Sequence, residues 1–228
     1  MKKSAYKRAL CALFSAFLVL TMVFPGEVAL AASAPGNVAR FSMTGCSAST
    51  VSLSWNKVKG ASGYRIRRYD SKSKKWKTVL TATKGSAIKG TVKKLSPATT
   101  YKLQIHAYKK AGKKTLYSKK AKTLTVATKP AKVTLQSVKA NGAKITVSWK
   151  KSAASGYQVI YARNKQFKNG ESILVGGSNK TTTYYAPYSG TYYVHLRPYK
   201  NLNGKKYYGS WSNTKACLLY TSPSPRDT

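Results

Sequence analysis

Apolar and polar residues alternate with a period of two through most of this chain, and the modules show no 3.6-residue helical period. Val51, Leu53 and Trp55 alternate with Ser52, Ser54 and Asn56, which predicts a strand with one face in a core and the other in water. Gly60-Ala-Ser-Gly63 reads as a turn, after which Tyr64, Ile66 and Arg68 keep the same period. Further strands are expected from Val38 to Met43, Lys74 to Leu80, Ile88 to Val92, Tyr101 to Ala107 and Leu116 to Thr128. Turn residues recur about every 8 to 12 positions, the spacing of a β-sandwich.

The pattern is written twice. A strand ends in Ser-Trp (Trp55, Trp149), then comes Ala-Ser-Gly-Tyr (Tyr64, Tyr157), then a Thr-Tyr strand (Tyr101, Tyr192), then an aromatic-Ser pair (Tyr117-Ser118, Trp211-Ser212). The copies are separated by 94, 93, 91 and 94 residues. Four landmarks in register predict two tandem domains, 35–128 and 131–216, each large enough for its own core. The junction, Thr128 to Ala131, is too short for a floppy tether. The last strand of the second unit starts near Tyr207 and is expected to break off at Ala216.

With a Trp on the second strand and a Tyr opening the sixth, both units resemble fibronectin type III modules. The resemblance implies an all-β chain of two tandem immunoglobulin-like β-sandwiches. It places Trp55 and Trp149 between the sheets and makes Tyr101 and Tyr192 corner tyrosines, whose hydroxyl bonds backbone just upstream. Tyr64 and Tyr157 are read as structural partners on the third strand. The run from Lys200 to Ser212 resembles Lys- and Tyr-rich modules in surface proteins of Gram-positive gut bacteria. The Arg-Gly-Asp tripeptide used by some animal modules is absent from both copies.

Both ends depart from this scheme. Met1 to Arg8 is positive, Ala9 to Phe24 is apolar, and Ala29-Leu-Ala31 offers a small-residue cleavage site, so 1–31 reads as a secretory signal peptide. The apolar run is shorter than the roughly 20 residues of a spanning helix, and no membrane span is expected in the mature chain. Cys217 to Asp227 drops lysine, adds two prolines and resembles a translated transposase sequencing adapter. Residues 217–228 are therefore expected to be foreign, with the natural protein continuing past Ala216.

Charge then narrows the function. Of 42 basic residues, four lie in 1–31 and one in 217–228, which leaves 37 against only Asp70 and Glu171. Lysines scattered over polar positions serve solubility and attract polyanions; for an exported chain that means anionic wall polymers, anionic membrane lipids or other extracellular glycans and proteins rather than nucleic acid. Two carboxylates in separate modules make no acid–base pair. His106 and His195 fall at outward strand positions and read as solvated, not as metal ligands. Cys46 has no base nearby to activate it. The reading is of a non-enzyme with no cofactor or metal: a surface spacer and adhesion pair. The alternatives are accessory modules of a glycan- or wall-degrading enzyme, or a tyrosine-based glycan binder. A ligand surface, if tyrosines build one, is expected at Tyr193 and Tyr199 with Lys200, Lys205 and Lys206.

Overall fold

A computed structural model describes residues 33–220; the expected signal peptide and most of the expected foreign tail lie outside the described residues. The first module packs two sheets face to face. One contains β1 (Phe41–Cys46), β2 (Val51–Trp55) and β5 (Lys89–Val92), with β2 central. The other contains β3 (Gly63–Asp70), β4 (Lys75–Ala82), β6 (Thr100–Ala111), β7 (Lys114–Tyr117) and β8 (Lys122–Ala127), in the order β4-β3-β6-β7 with β8 also on β6. The second module repeats this with β9 (Leu135–Asn141), β10 (Lys144–Trp149) and β13 (Thr181–Tyr185) in one sheet. Its larger sheet holds β11 (Gly156–Ala162), β12 (Glu171–Gly176), β14 (Gly190–Leu202), β15 (Lys205–Tyr208) and β16 (Lys215–Leu219). Among the described residues every strand pairing is antiparallel.

The period-two pattern sorts the side chains as expected. Val51, Leu53, Trp55, Tyr64 and Ile66 are buried in the first core, and Ile145, Val147, Trp149, Tyr157 and Val159 in the second. Each Trp tilts against its Tyr, Trp55 on Tyr64 at 5.5 Å between ring centres and Trp149 on Tyr157 at 5.1 Å. Both tyrosines are also pinned by hydrogen bonds. Tyr64 Oη accepts from the Val58 N–H at 2.8 Å, and Tyr157 Oη from the Ser152 N–H at 2.9 Å. A buried donor that would otherwise lack a partner explains why these positions hold Tyr and not Phe.

Two landmarks do more than the pattern suggests. Gly60 is a turn residue, at φ +73°, but Gly63 opens β3 and lies opposite Tyr108 on β6. A Cβ there would stand 2.2 Å from Ala82 O and 2.5 Å from Tyr108 Oη. Gly156 repeats the arrangement beneath Tyr199, with a Cβ 2.4 Å from the hydroxyl and 2.6 Å from Val175 O. Each glycine is a seat for a tyrosine ring. The Ser after each aromatic residue ends one pairing and starts the next. Ser118 N–H donates to Ala107 O at 2.9 Å, and Ser212 N–H donates to Leu196 O at 2.7 Å. The continuous last strand expected from Leu116 to Thr128 is therefore split at Ser118 into β7 and β8.

At the expected break after Ala216, β16 runs on. Cys217 pairs with Tyr192 and packs half-buried against the core, and Leu219 is buried within it. The sandwich thus extends three residues beyond the expected boundary. Alternation is the reason: Cys217 and Leu219 turn inward and Leu218 outward, and the prolines come only later in the chain.

Candidate ligand surface

Among the described residues, carboxylates and thiols are few. Asp70 sits at the end of β3 and receives the Lys77 ammonium from β4. That bond, with help from backbone N–H groups of Ser73 and Lys72, holds its carboxyl at about 2. Cys46 and Cys217 are free thiols whose pKa burial pushes up, which makes them poor nucleophiles. Among the described residues no three His, Cys, Asp or Glu side chains converge on a position that could hold a metal ion. No described helix is long and apolar enough to cross a membrane.

The proposed tyrosine surface divides into two places. Tyr193 and Tyr199 both face outward from β14, but six residues of extended strand separate them by about 20 Å. Tyr193 lies under the Lys165 ammonium at 6.0 Å, beside a cavity of about 350 Å³ that Thr214, Lys215 and Ala216 also line. Tyr199 roofs Gly156, meets Tyr208 edge-on at 5.8 Å and has the Lys206 ammonium 5.7 Å from its ring centre. Lys205 stands over Tyr207 at 5.5 Å, and Lys200 pairs with Tyr207 across the β14–β15 hairpin.

Between those two tyrosines the same face carries a stack that the composition did not suggest. Phe167, His195 and Trp211 lie nearly parallel, with ring centres 3.5 and 4.0 Å apart. The Arg197 guanidinium continues the column, 4.3 Å from Trp211 and 3.9 Å from Tyr208, and its Nε donates to Gln158 Oε1 at 2.8 Å. His195 is thus sandwiched rather than solvated. Burial first, then the adjacent Arg197 charge, push its pKa down to about 4. Phe167 takes φ +58°, a region that costs a bulky residue energy, and the Asn164 side chain locks its loop through Lys168 N–H and O. His106 in the first module is also tied down, its Nδ1 3.1 Å from Ser118 O. Four planar side chains at alternate positions of β14 (Tyr193, His195, Arg197, Tyr199) were the available signal for this column.

The corner tyrosines differ. Tyr101 Oη accepts the Ser96 N–H at 2.8 Å, five residues upstream. The matching position before Tyr192 is Pro187, which has no N–H to donate.

Comparison with known proteins bears on the fold. The family model described as Fibronectin type III domain matches residues 33–123, the first module. Among curated proteins none matches the chain. A two-domain fibronectin type III segment of chicken tenascin is 19% identical with a TM-score of 0.45, covering 83% of this chain and 100% of that one. The FN1–FN3 domains of chicken CNTN1 are 18% identical with a TM-score of 0.38, covering 83% of this chain and 68% of that one. Domains of this type are typically non-catalytic. The first module matches that family model, and the second repeats its strand order and landmark residues; in fold the described residues form two tandem immunoglobulin-like β-sandwiches.

Proposed function

We propose that this chain is an exported, non-catalytic spacer and adhesion pair of a bacterial cell surface, held to anionic wall polymers by its basic exterior. The observation that carries the reading is charge: 37 basic residues against Asp70 and Glu171 over residues 32–216. The Lys77 ammonium already neutralises the first of those carboxylates. Most of the basic residues are lysines at exposed strand and turn positions. Lysines present mobile point charges without the fork of arginine, which suits a flexible polyanion better than one fixed phosphate. Two sandwiches joined by a short junction supply reach, and a surface of one sign supplies the hold.

Sedimentation with isolated cell walls tests this. Binding of the full chain should fall more than tenfold between about 50 and 500 mM salt, because exposed charges are screened as the Debye length shrinks. It should also fall when the anionic polymers are stripped from the walls. Binding that ignores both salt and stripping would remove the reading.

A further inference from the structure

We propose that the cleft between Cys46, Lys129 and Lys205 is a seat for one anionic group, phosphate or carboxylate, of a polymer chain; that the polymer is the wall's rests on the function proposed above. The cleft has a volume of about 450 Å³ and is lined by Thr44, Cys46, Thr125, Lys129, Lys205 and Tyr207, among others. That volume falls within the roughly 300–1,000 Å³ of ligand sites. Both lysines are exposed, so a ligand reaches them from solvent. Their charges also converge on the Cys46 thiol. Burial raises its pKa, and the Lys129 and Lys205 ammonium groups pull it back down. No residue lining the cleft is a carboxylate, and among the described residues the ion pair formed is that of Lys77 with Asp70, outside it. Lys205 stands 5.5 Å over the Tyr207 ring, but a ring neutralises no charge. Two like charges gathered at one cleft with no counter-charge between them are relieved by an anion.

The backbone holds both lysines at fixed points. The Lys129 N–H donates to Ser47 O at 2.9 Å, and its carbonyl accepts from the Ala98 N–H at 3.1 Å, so the junction is strapped to the first module on both sides of this residue. Pro130, next in the chain, is buried, and its carbonyl passes so near Gly209 that a Cβ there would stand 2.8 Å from it. Gly209 directly follows β15, the strand that begins with Lys205. The Thr44 and Thr125 hydroxyls on the wall of the cleft can donate to the remaining oxygens of an oxyanion. A cation would be repelled by both lysines, and an apolar ligand would leave them without a counter-charge. The lysine ammonium is a point charge on a flexible stem, which does not choose between phosphate and carboxylate.

Cys46 reports on the seat from within it. The full chain is alkylated with iodoacetamide, a neutral reagent, in about 0.1 M salt, where the Debye length is about 10 Å and distant charges are screened. Rates at Cys46 and Cys217 are read separately by peptide mass spectrometry, with and without polyphosphate or polygalacturonate. A seated anion covers the thiol and cancels the charges that favour its thiolate. At least one polymer should therefore slow Cys46 at least fivefold and leave Cys217 within twofold. Lys129→Gln combined with Lys205→Gln should abolish that protection, measured against the variant's own rate without polymer. Lys113→Gln with Lys114→Gln, an equal loss of charge on the β6–β7 hairpin, should keep it. All four side chains are exposed, so neither variant disturbs a core. Equal slowing at both thiols, no slowing by either polymer, or protection that survives in the Lys129 and Lys205 variant would each overturn the seat. Wall binding that fades with salt while Cys46 stays unprotected removes the seat alone. Cys46 protection beside wall binding that ignores salt removes the wall reading alone.

Discussion

Replacing Gly63 by Ala adds one methyl group at a place with no room for it. The new Cβ would lie 2.2 Å from Ala82 O and 2.5 Å from Tyr108 Oη. The carbonyl belongs to β4, where Ala82 pairs with Tyr64, so it cannot retreat without opening that ladder. The ring could swing away, but Tyr108 is 3% exposed and would give up a burial worth about 1.5–3 kcal/mol. Staying put costs about 1–3 kcal/mol of overpacking. The clash with the Ala82 carbonyl remains even when the ring moves, so the two costs combine in part and a net loss of about 2–5 kcal/mol is expected. A module of this size is stable by only about 5–13 kcal/mol, so about a sixth or more of its stability is at stake. Gly112→Ala in the same module is the control. Its φ of +57° strains an alanine, but nothing lies within 4 Å of its Cβ, so about 1 kcal/mol is expected. Urea unfolding followed by tryptophan fluorescence should show a separate early transition in Gly63→Ala and a small shift in Gly112→Ala. Tyr108→Ala in the same chain should relieve part of the Gly63→Ala cost, a coupling of about 1–3 kcal/mol. Equal costs for the two glycine substitutions, or strict additivity with Tyr108→Ala, would refute the seat.

Two smaller predictions use the same measurement. Tyr101→Phe should cost about 0.5–1.5 kcal/mol through the lost bond from the Ser96 N–H, whereas Tyr192→Phe, opposite Pro187, should cost less. The pH dependence should divide by module. His195 is held at about 4 from an ordinary 6.5, so the unfolded chain takes up its proton first. Its share of stability is whole above about 6.5 and is lost as pH falls toward 4. Asp70 is lowered from 3.8 to about 2, so its share persists in that window and is lost only between about 4 and 2. Urea midpoints across pH, with His195→Phe as the variant that flattens the upper window, check this; an unchanged slope in that variant would place the titration elsewhere.

How much of this was legible follows from what a period of two encodes. It tells which side of a strand a residue faces, and so Val51, Leu53, Trp55 and their partners in the second module could be assigned to a core from their order alone. It does not tell which neighbour lies across the strand. Gly63 under Tyr108 is a relation of register between β3 and β6, and from local sequence the glycine looks like a turn. His195 was rightly placed outward, yet the stack that shields it is completed by Phe167 from a loop and Trp211 from beyond the next hairpin. Tyr161 and Tyr184 meet from different sheets, which no spacing within either strand announces. The same limit works in reverse at β16. Three alternating residues, Cys217 to Leu219, are enough to join a sheet whose edge is open to them, because pairing asks only for backbone and an apolar inward side. A break in composition at Ala216 is therefore no guide to where the strand stops; the strand ends where its inward positions stop finding a core.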